Sequence, residues 1–124
     1  MKLAIVGSTS LVGNEEAREI IAEQIRLRSP HYVISGGALG VDTMAVEVAR
    51  AMGIPTLVYR PEVQRWDGGD RIGFKQRNRQ IAEACDELIR IAAKDARTYG
   101  SGWTRDEAAR LGKPTVEFVV EVQR

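Results

Sequence analysis

The chain has 124 residues, one cysteine, 44% hydrophobic residues and a net charge of +1. That length suits one domain whose core can stand without disulfide staples, so a single unit over 1–124 is expected. Cys85 has no partner for an internal disulfide, the apolar start Leu3 to Val6 is far shorter than a signal-peptide core or a membrane span, and the near-neutral balance by itself points to no polyanionic partner; the expected setting is cytoplasmic, reducing and away from membranes.

In chain order, Lys2 to Val6 is a short apolar run ending in Gly7-Ser8-Thr9-Ser10, which predicts a first buried strand and a polar turn. Asn14 is placed to cap a helix with Glu15 and Glu16 in its first turn and Ala17, Ile20, Ile21 and Ile25 on its apolar face. Those carboxylates already complement the positive helix end and repel a phosphate, so no anion is expected there. Pro30 closes the helix region, and His31 to Ser35 predicts the second strand. His31 is the sole histidine and has no second ligand or carboxylate near it in sequence, which favours a surface role, and no metal site is expected.

Gly36, Gly37 and Gly40 follow, with Asp42 as the expected N-cap of a second helix whose inward stripe is Ala45, Val48, Ala49 and Met52. Glycines permit positive φ and leave backbone N–H groups unshielded by a Cβ, so this turn can take an anion of phosphate size. The structural alternative is a tight strand-to-helix turn without a ligand. The spacing fits neither the G-x-G-x-x-G dinucleotide fingerprint nor the G-x-x-x-x-G-K-[ST] P-loop, and no cofactor is expected.

Gly53 and Pro55 lead into a third strand, Thr56 to Tyr59. Arg60 to Ile72 has no apolar period and is expected to be a long, functional loop, with Trp66 either stacking on a base or clamping the loop. Six cations and three acids between Arg60 and Arg79 make a local +3, leaving −2 on the remainder. Gly73 to Cys85 resumes a helical pattern, Glu87 to Ile91 is the fourth strand, Ala92 to Gly102 reads as irregular, Thr104 to Leu111 as a short helix, and Thr115 to about Val122 as the fifth strand. This alternation predicts an α/β, three-layer, Rossmann-like domain with a five-stranded parallel sheet in the order 3-2-1-4-5. The site is then expected where the loops after strands one, two and four converge. The valine-rich fifth strand reads as an edge covered by a second subunit, so a homodimer is expected.

Three segments together resemble the Rossmann domain of the DNA-processing protein A family: Ser35-Gly36-Gly37-Ala38-x-Gly40-x-Asp42-Thr43, then Arg77-Asn78-Arg79 ahead of a helix, then Ser101-Gly102-x-Thr104 before Gly112-Lys113-Pro114. The stretch from Pro61 through Trp66 to Gly73 and Arg77-Asn78 is similar to the stand-alone YspA-like proteins. Both belong to the SLOG superfamily, as do the lonely guy phosphoribohydrolases, which release cytokinin bases from nucleotides. The resemblance covers nearly the whole chain. Where phosphoribohydrolases and YspA-like proteins carry P-G-G-x-G-T after strand four, this chain has Gly100-Ser101-Gly102-Trp103-Thr104-Arg105-Asp106-Glu107. The T-x-x-E ending survives as Thr104 and Glu107, and the family's catalytic arginine falls on Arg77.

Taken with the converging loops, the resemblance implies ligand contacts at Gly7, Ser8, Gly36, Gly37, Gly40, Asp42, Arg77, Asn78, Ser101, Gly102 and Thr104. Nucleotide binding ranks first. An N-glycosidase acting on nucleoside 5′-monophosphates is the alternative, with Glu107 stabilising an oxocarbenium-like state and Arg77 holding phosphate, and Asp106 as the fallback carboxylate. Thr104-x-x-Glu107 is equally a capping box with a purely structural role. A third expectation is single-stranded nucleic-acid binding, by resemblance to the DNA-processing family.

Overall fold

The computed structural model describes residues 1–61, 65–67, 70–94 and 99–122, with 65–67, 70–72 and 99 described by backbone alone. Among the described residues, seven strands and four α-helices follow one another as β1 (Lys2–Gly7), α1 (Glu15–Arg28), β2 (Tyr32–Ser35), α2 (Val41–Ala51), β3 (Thr56–Val58), β4 (Arg65–Asp67), β5 (Asp70–Ile72), α3 (Phe74–Ala84), β6 (Glu87–Ala93), α4 (Tyr99–Arg110) and β7 (Thr115–Val120). The main sheet has the order β3-β2-β1-β6-β7 and is parallel throughout. Counted without the β4–β5 hairpin, this is the expected order 3-2-1-4-5.

The apolar runs are continuous because the central strands are covered on both faces. Leu3 and Ile5 of β1 point to one side with Val33, Ile89 and Ile91, where α1 and α2 contribute Ala17, Ile21, Val41, Ala45 and Ala49. Ala4 and Val6 point to the other with Ile34 and Leu88, against Ile81 and Ala82 of α3 and Ala108 of α4. Cys85, at the end of α3, is fully buried in that second layer.

Helix ends follow their local chemistry. The Asn14 side chain accepts from the Ala17 N–H at 2.9 Å, and Ser29 in the left-handed region (φ 44°) closes α1 before Pro30. In α2 the expectation that Asp42 is the N-cap is corrected: the cap is Gly40, whose φ of 79° lets the helix begin at Val41, and Asp42 lies inside the first turn. The region expected to be irregular before Thr104 is helical from Tyr99. Gly100 and Gly102 are poor helix formers, but Asn78 Nδ2 donates to Gly100 O at 3.5 Å and Arg90 Nε to Ser101 Oγ at 3.0 Å, and these anchors override propensity. Thr104 and Glu107 therefore lie within α4 and form no capping box. Part of the long expected loop is the antiparallel β4–β5 hairpin; the Trp66 side chain lies outside the described residues. No helix among the described residues is long and apolar enough to cross a membrane.

Candidate functional site

At the carboxyl ends of the strands, the turn after β1 is pinned to β6. The Ser8 N–H donates to Ile91 O at 3.0 Å and its Oγ accepts from the Ala93 N–H at 2.9 Å. A Cβ on Gly7 would run into Ile91 O and the Val41 side chain, so this glycine is a point of close packing. Gly40 likewise sits against Ser8 O and the Thr9 backbone. Gly7, Ser8 and Gly40 thus form the floor that joins the two central turns.

The glycine turn after β2 is closed by its own groups. Ser35 Oγ donates to Asp42 O at 2.9 Å and accepts from the Gly37 N–H at 3.1 Å, and Thr43 Oγ1 donates to Ala38 O at 2.6 Å. The Asp42 carboxylate accepts from the Ala38 N–H at 3.4 Å and faces the N–H groups of Gly7 and Gly36. It takes up backbone N–H groups of this turn, so the turn that the glycine pattern marks for an anion carries a carboxylate of its own. Asp42 is 6% exposed, and burial pushes its carboxyl up to about 6, against the opposing pull of those N–H groups and of Arg77.

Arg77 reaches this turn from α3. Its Nη1 donates to Gly36 O at 2.6 Å and to Tyr59 O at 3.5 Å, and its Nε donates to Asn78 Oδ1 at 2.7 Å. A Cβ on Gly36 would lie 2.7 Å from Arg77 Nη1 and 2.8 Å from Asp42 Oδ2, so only glycine lets the two charged groups flank the chain here. Burial lowers the Arg77 pKa and Asp42 counteracts it. Asn78 carries the connection to Gly100 and the start of α4. Gly36, Gly37, Asp42, Arg77, Asn78 and the first turn of α4 are thereby linked around one crest.

Within α4, Ser101 Oγ is held by Arg90, and Thr104, 1% exposed, donates back to Gly100 O at 2.8 Å. Both side chains brace the first turn. Gly102 lies alongside the Arg90 guanidinium at ordinary contact distance. Glu107 is elsewhere. It pairs with Arg110, whose hydrogen bond, helped by the charges of Arg110, Arg79 and Lys75, holds it below the usual carboxylate range. Lys75 and Arg79 are one helical turn apart on α3 and rise over the Trp103 ring, 5.6 and 6.0 Å from its centroid. Arg77 projects from another side of α3, so the two residues proposed for glycosidase chemistry occupy separate faces. Asp106 is exposed and paired with Arg105.

Arg60 was not among the candidates from sequence, yet its guanidinium stands 3.1 Å from where a Gly37 Cβ would be. Its place in the +3 cluster, directly after the third strand, was the available signal. A hollow of about 520 Å³ beside the start of α1 is lined by Glu15, Glu16, Glu19 and Glu121, which bars an anion from that flank of the crest.

No family model matches the chain, and no curated protein matches it. Among solved structures it is similar to DNA processing protein A (DprA) from Streptococcus pneumoniae, with a TM-score of 0.73 and 22% identity over 94% of this chain and 49% of that one. The chain thus spans about half the length of that protein. It is also similar to the structural-genomics target TM1055, with a TM-score of 0.69 and 21% identity over 92% of this chain and 71% of the other. A third is the Moco Carrier Protein from Chlamydomonas reinhardtii, with a TM-score of 0.66 and 18% identity over 96% and 76%. The chain has the Rossmann-like fold of these three structures, with a five-stranded parallel sheet.

Proposed function

We propose that the chain binds a nucleotide or nucleotide-derived ligand at the crest formed by the ends of β1, β2 and β6, with its phosphate on the first turn of α4. The observation that carries this is that the buried Asp42 carboxylate and the Arg77 guanidinium flank Gly36 on the glycine turn. Buried charge is costly to maintain, and an acid and a cation buried together at the carboxyl ends of parallel strands make this crest the candidate site. Of the crest's helix starts, α1 carries Glu15 and Glu16 and α2 carries Asp42, whereas the first turn of α4 has no acid. Its N–H groups at Gly100, Ser101 and Gly102 suit a phosphate, with Asn78 tying that turn to Arg77 and Arg60 adding positive charge at Gly37.

Binding is preferred to N-glycosidic hydrolysis because of where α4 begins. Glu107 is seven residues beyond Gly100, about 10 Å down the helix axis, and is engaged by Arg110. A carboxylate acting on the sugar must lie within reach of the anomeric carbon. Single-stranded nucleic acid is the second reading, favoured by the two cations over Trp103 and by the likeness to a DNA processing protein.

Thermal unfolding with a panel of nucleoside 5′-monophosphates and of oligonucleotides, with free base assayed in parallel, tests these readings. A ligand at about one hundred times its Kd should stabilise by about 2.7 kcal/mol, and Arg77→Lys, which lacks the guanidinium fork, should lose most of that shift. No shift with any nucleotide overturns the proposal. Base release that Glu107→Gln abolishes would establish the glycosidase, and a shift confined to oligonucleotides and falling steeply with salt would establish the nucleic-acid reading.

A further inference from the structure

The two edges of the main sheet are built differently. β3 has three residues, Thr56–Val58, and Arg60 and Pro61 follow it, which blunts that edge. β7 has six, Thr115–Val120, with Val116, Phe118, Val119 and Val120 among them and neither proline nor lysine. Leu88 N–H donates to Pro114 O at 3.0 Å and Lys94 N–H to Val120 O at 2.8 Å, so the even-numbered backbone groups of β7 face β6. Those of Thr115, Glu117, Val119 and Glu121 face outward, where no backbone hydrogen bond reaches them among the described residues. The carboxylates along this edge are held to their own chain: Glu117 pairs with Arg90 and, at 2.7 Å, with Arg105, and Glu121 pairs with Lys94 at 2.9 Å. Val119 is 60% exposed, so α4 leaves this part of the sheet face uncovered.

We propose that β7 is a self-association edge, pairing antiparallel with β7 of a second copy about a two-fold axis at Phe118. A two-fold axis makes the paired strands antiparallel, and residues directly opposite share a face of the sheet. Among the registers centred on the middle of β7, at Glu117, Phe118 or Val119, charge then selects one. Centring on Glu117 sets that carboxylate against its own symmetry mate, and centring on Val119 sets Glu117 against the partner's Glu121; both oppose like charges. Centring on Phe118 sets Phe118 against the partner's Phe118, Val116 against the partner's Val120 and Glu117 against the partner's Val119. Phe118 falls at a non-hydrogen-bonded position, where side chains approach most closely and an aromatic pair is favourable. The outward groups of Glu117 and the partner's Val119 exchange the hydrogen bonds. The product is one continuous sheet through two copies.

Sedimentation equilibrium of the full chain across a range of concentrations tests this, and should fit a monomer–dimer equilibrium. Val119→Pro removes one outward N–H, which an edge strand tolerates, so the far-UV circular dichroism should persist while the dimer is lost. Val119→Glu places a carboxylate opposite the partner's Glu117 and should raise the dimer dissociation constant at least about tenfold, whereas Val119→Lys, opposite that same carboxylate, should not. If Val119→Pro fails to fold, Val119→Glu, which keeps the backbone intact, decides. A chain that is monomeric at every concentration overturns the proposal, as does a dimer indifferent to both Val119→Pro and Val119→Glu. Equal weakening by Val119→Glu and Val119→Lys overturns the Phe118 register.

Discussion

Burial holds the Asp42 carboxyl at about 6, compared with its ordinary value of 3.8. An acid raised in this way keeps its proton in the folded chain at a pH where the unfolded chain has released it. Its stabilising contribution is therefore complete below about pH 4 and is lost as the pH rises through about 6. Asp42→Asn cannot titrate and should lack that slope. Relative to wild type, the variant's unfolding free energy should climb by up to about 3 kcal/mol between about pH 4 and pH 7, as measured by urea titration at each pH. A difference that stays flat across the window would mean that the carboxyl ionises in the fold as it does in the open chain. The same residue shows why a side chain's role can escape sequence reasoning. Cap and anion surrogate are both met by a short carboxylate at a helix start, and only the φ of Gly40 decides which of them Asp42 becomes.

Gly40 and Gly53 separate two demands that an element boundary can make. Both have positive φ, 79° and 75°, but a Cβ at Gly40 would meet Ser8 O and the Thr9 backbone, whereas at Gly53 it would meet nothing within 4 Å. Gly53→Ala should cost about 1 kcal/mol through backbone strain alone, and Gly40→Ala at least about 2 kcal/mol more as the two turns are forced apart, read by chemical denaturation. Equal costs would show that the contact between the turns adds nothing. The main strands were legible from sequence as short apolar runs, and burial on both faces makes the central ones the clearest, unbroken in Leu3 to Val6 and interrupted by Arg90 between Leu88 and Ala93. The hairpin was not, since Arg65-Trp66-Asp67 and Asp70-Arg71-Ile72 have no alternation to read. Nor was the start of α4, where Gly100 and Gly102 look like breakers and the residues that fix them, Asn78 and Arg90, are distant in sequence. The position of Glu107 relative to the crest depends on that start, which is why its pairing with Arg110 and its distance from Arg77 emerged only in three dimensions.

For the molecule as a whole, Arg60 and Arg77 make the crest cationic, Lys75 and Arg79 make a second cationic patch over Trp103, and Glu15, Glu16, Glu19 and Glu121 form an acidic flank. A net charge of +1 conceals this polarity, and ligand approach should depend on the local field more than on the total. Cys85 bears on the whole fold in another way. It is the chain's single thiol, is fully buried where α3 meets the sheet, donates to Ala82 O, and is pushed up in pKa chiefly by its burial. A soluble thiol reagent can trap it only in molecules that have opened, so its labelling rate is a clock running inside the unmodified protein. Under native conditions labelling should be at least about a thousandfold slower than in denaturant, and should slow further when a nucleotide is bound. Fast labelling that no denaturant accelerates would instead reveal that the end of α3 peels away by itself, while the rest of the sheet keeps time.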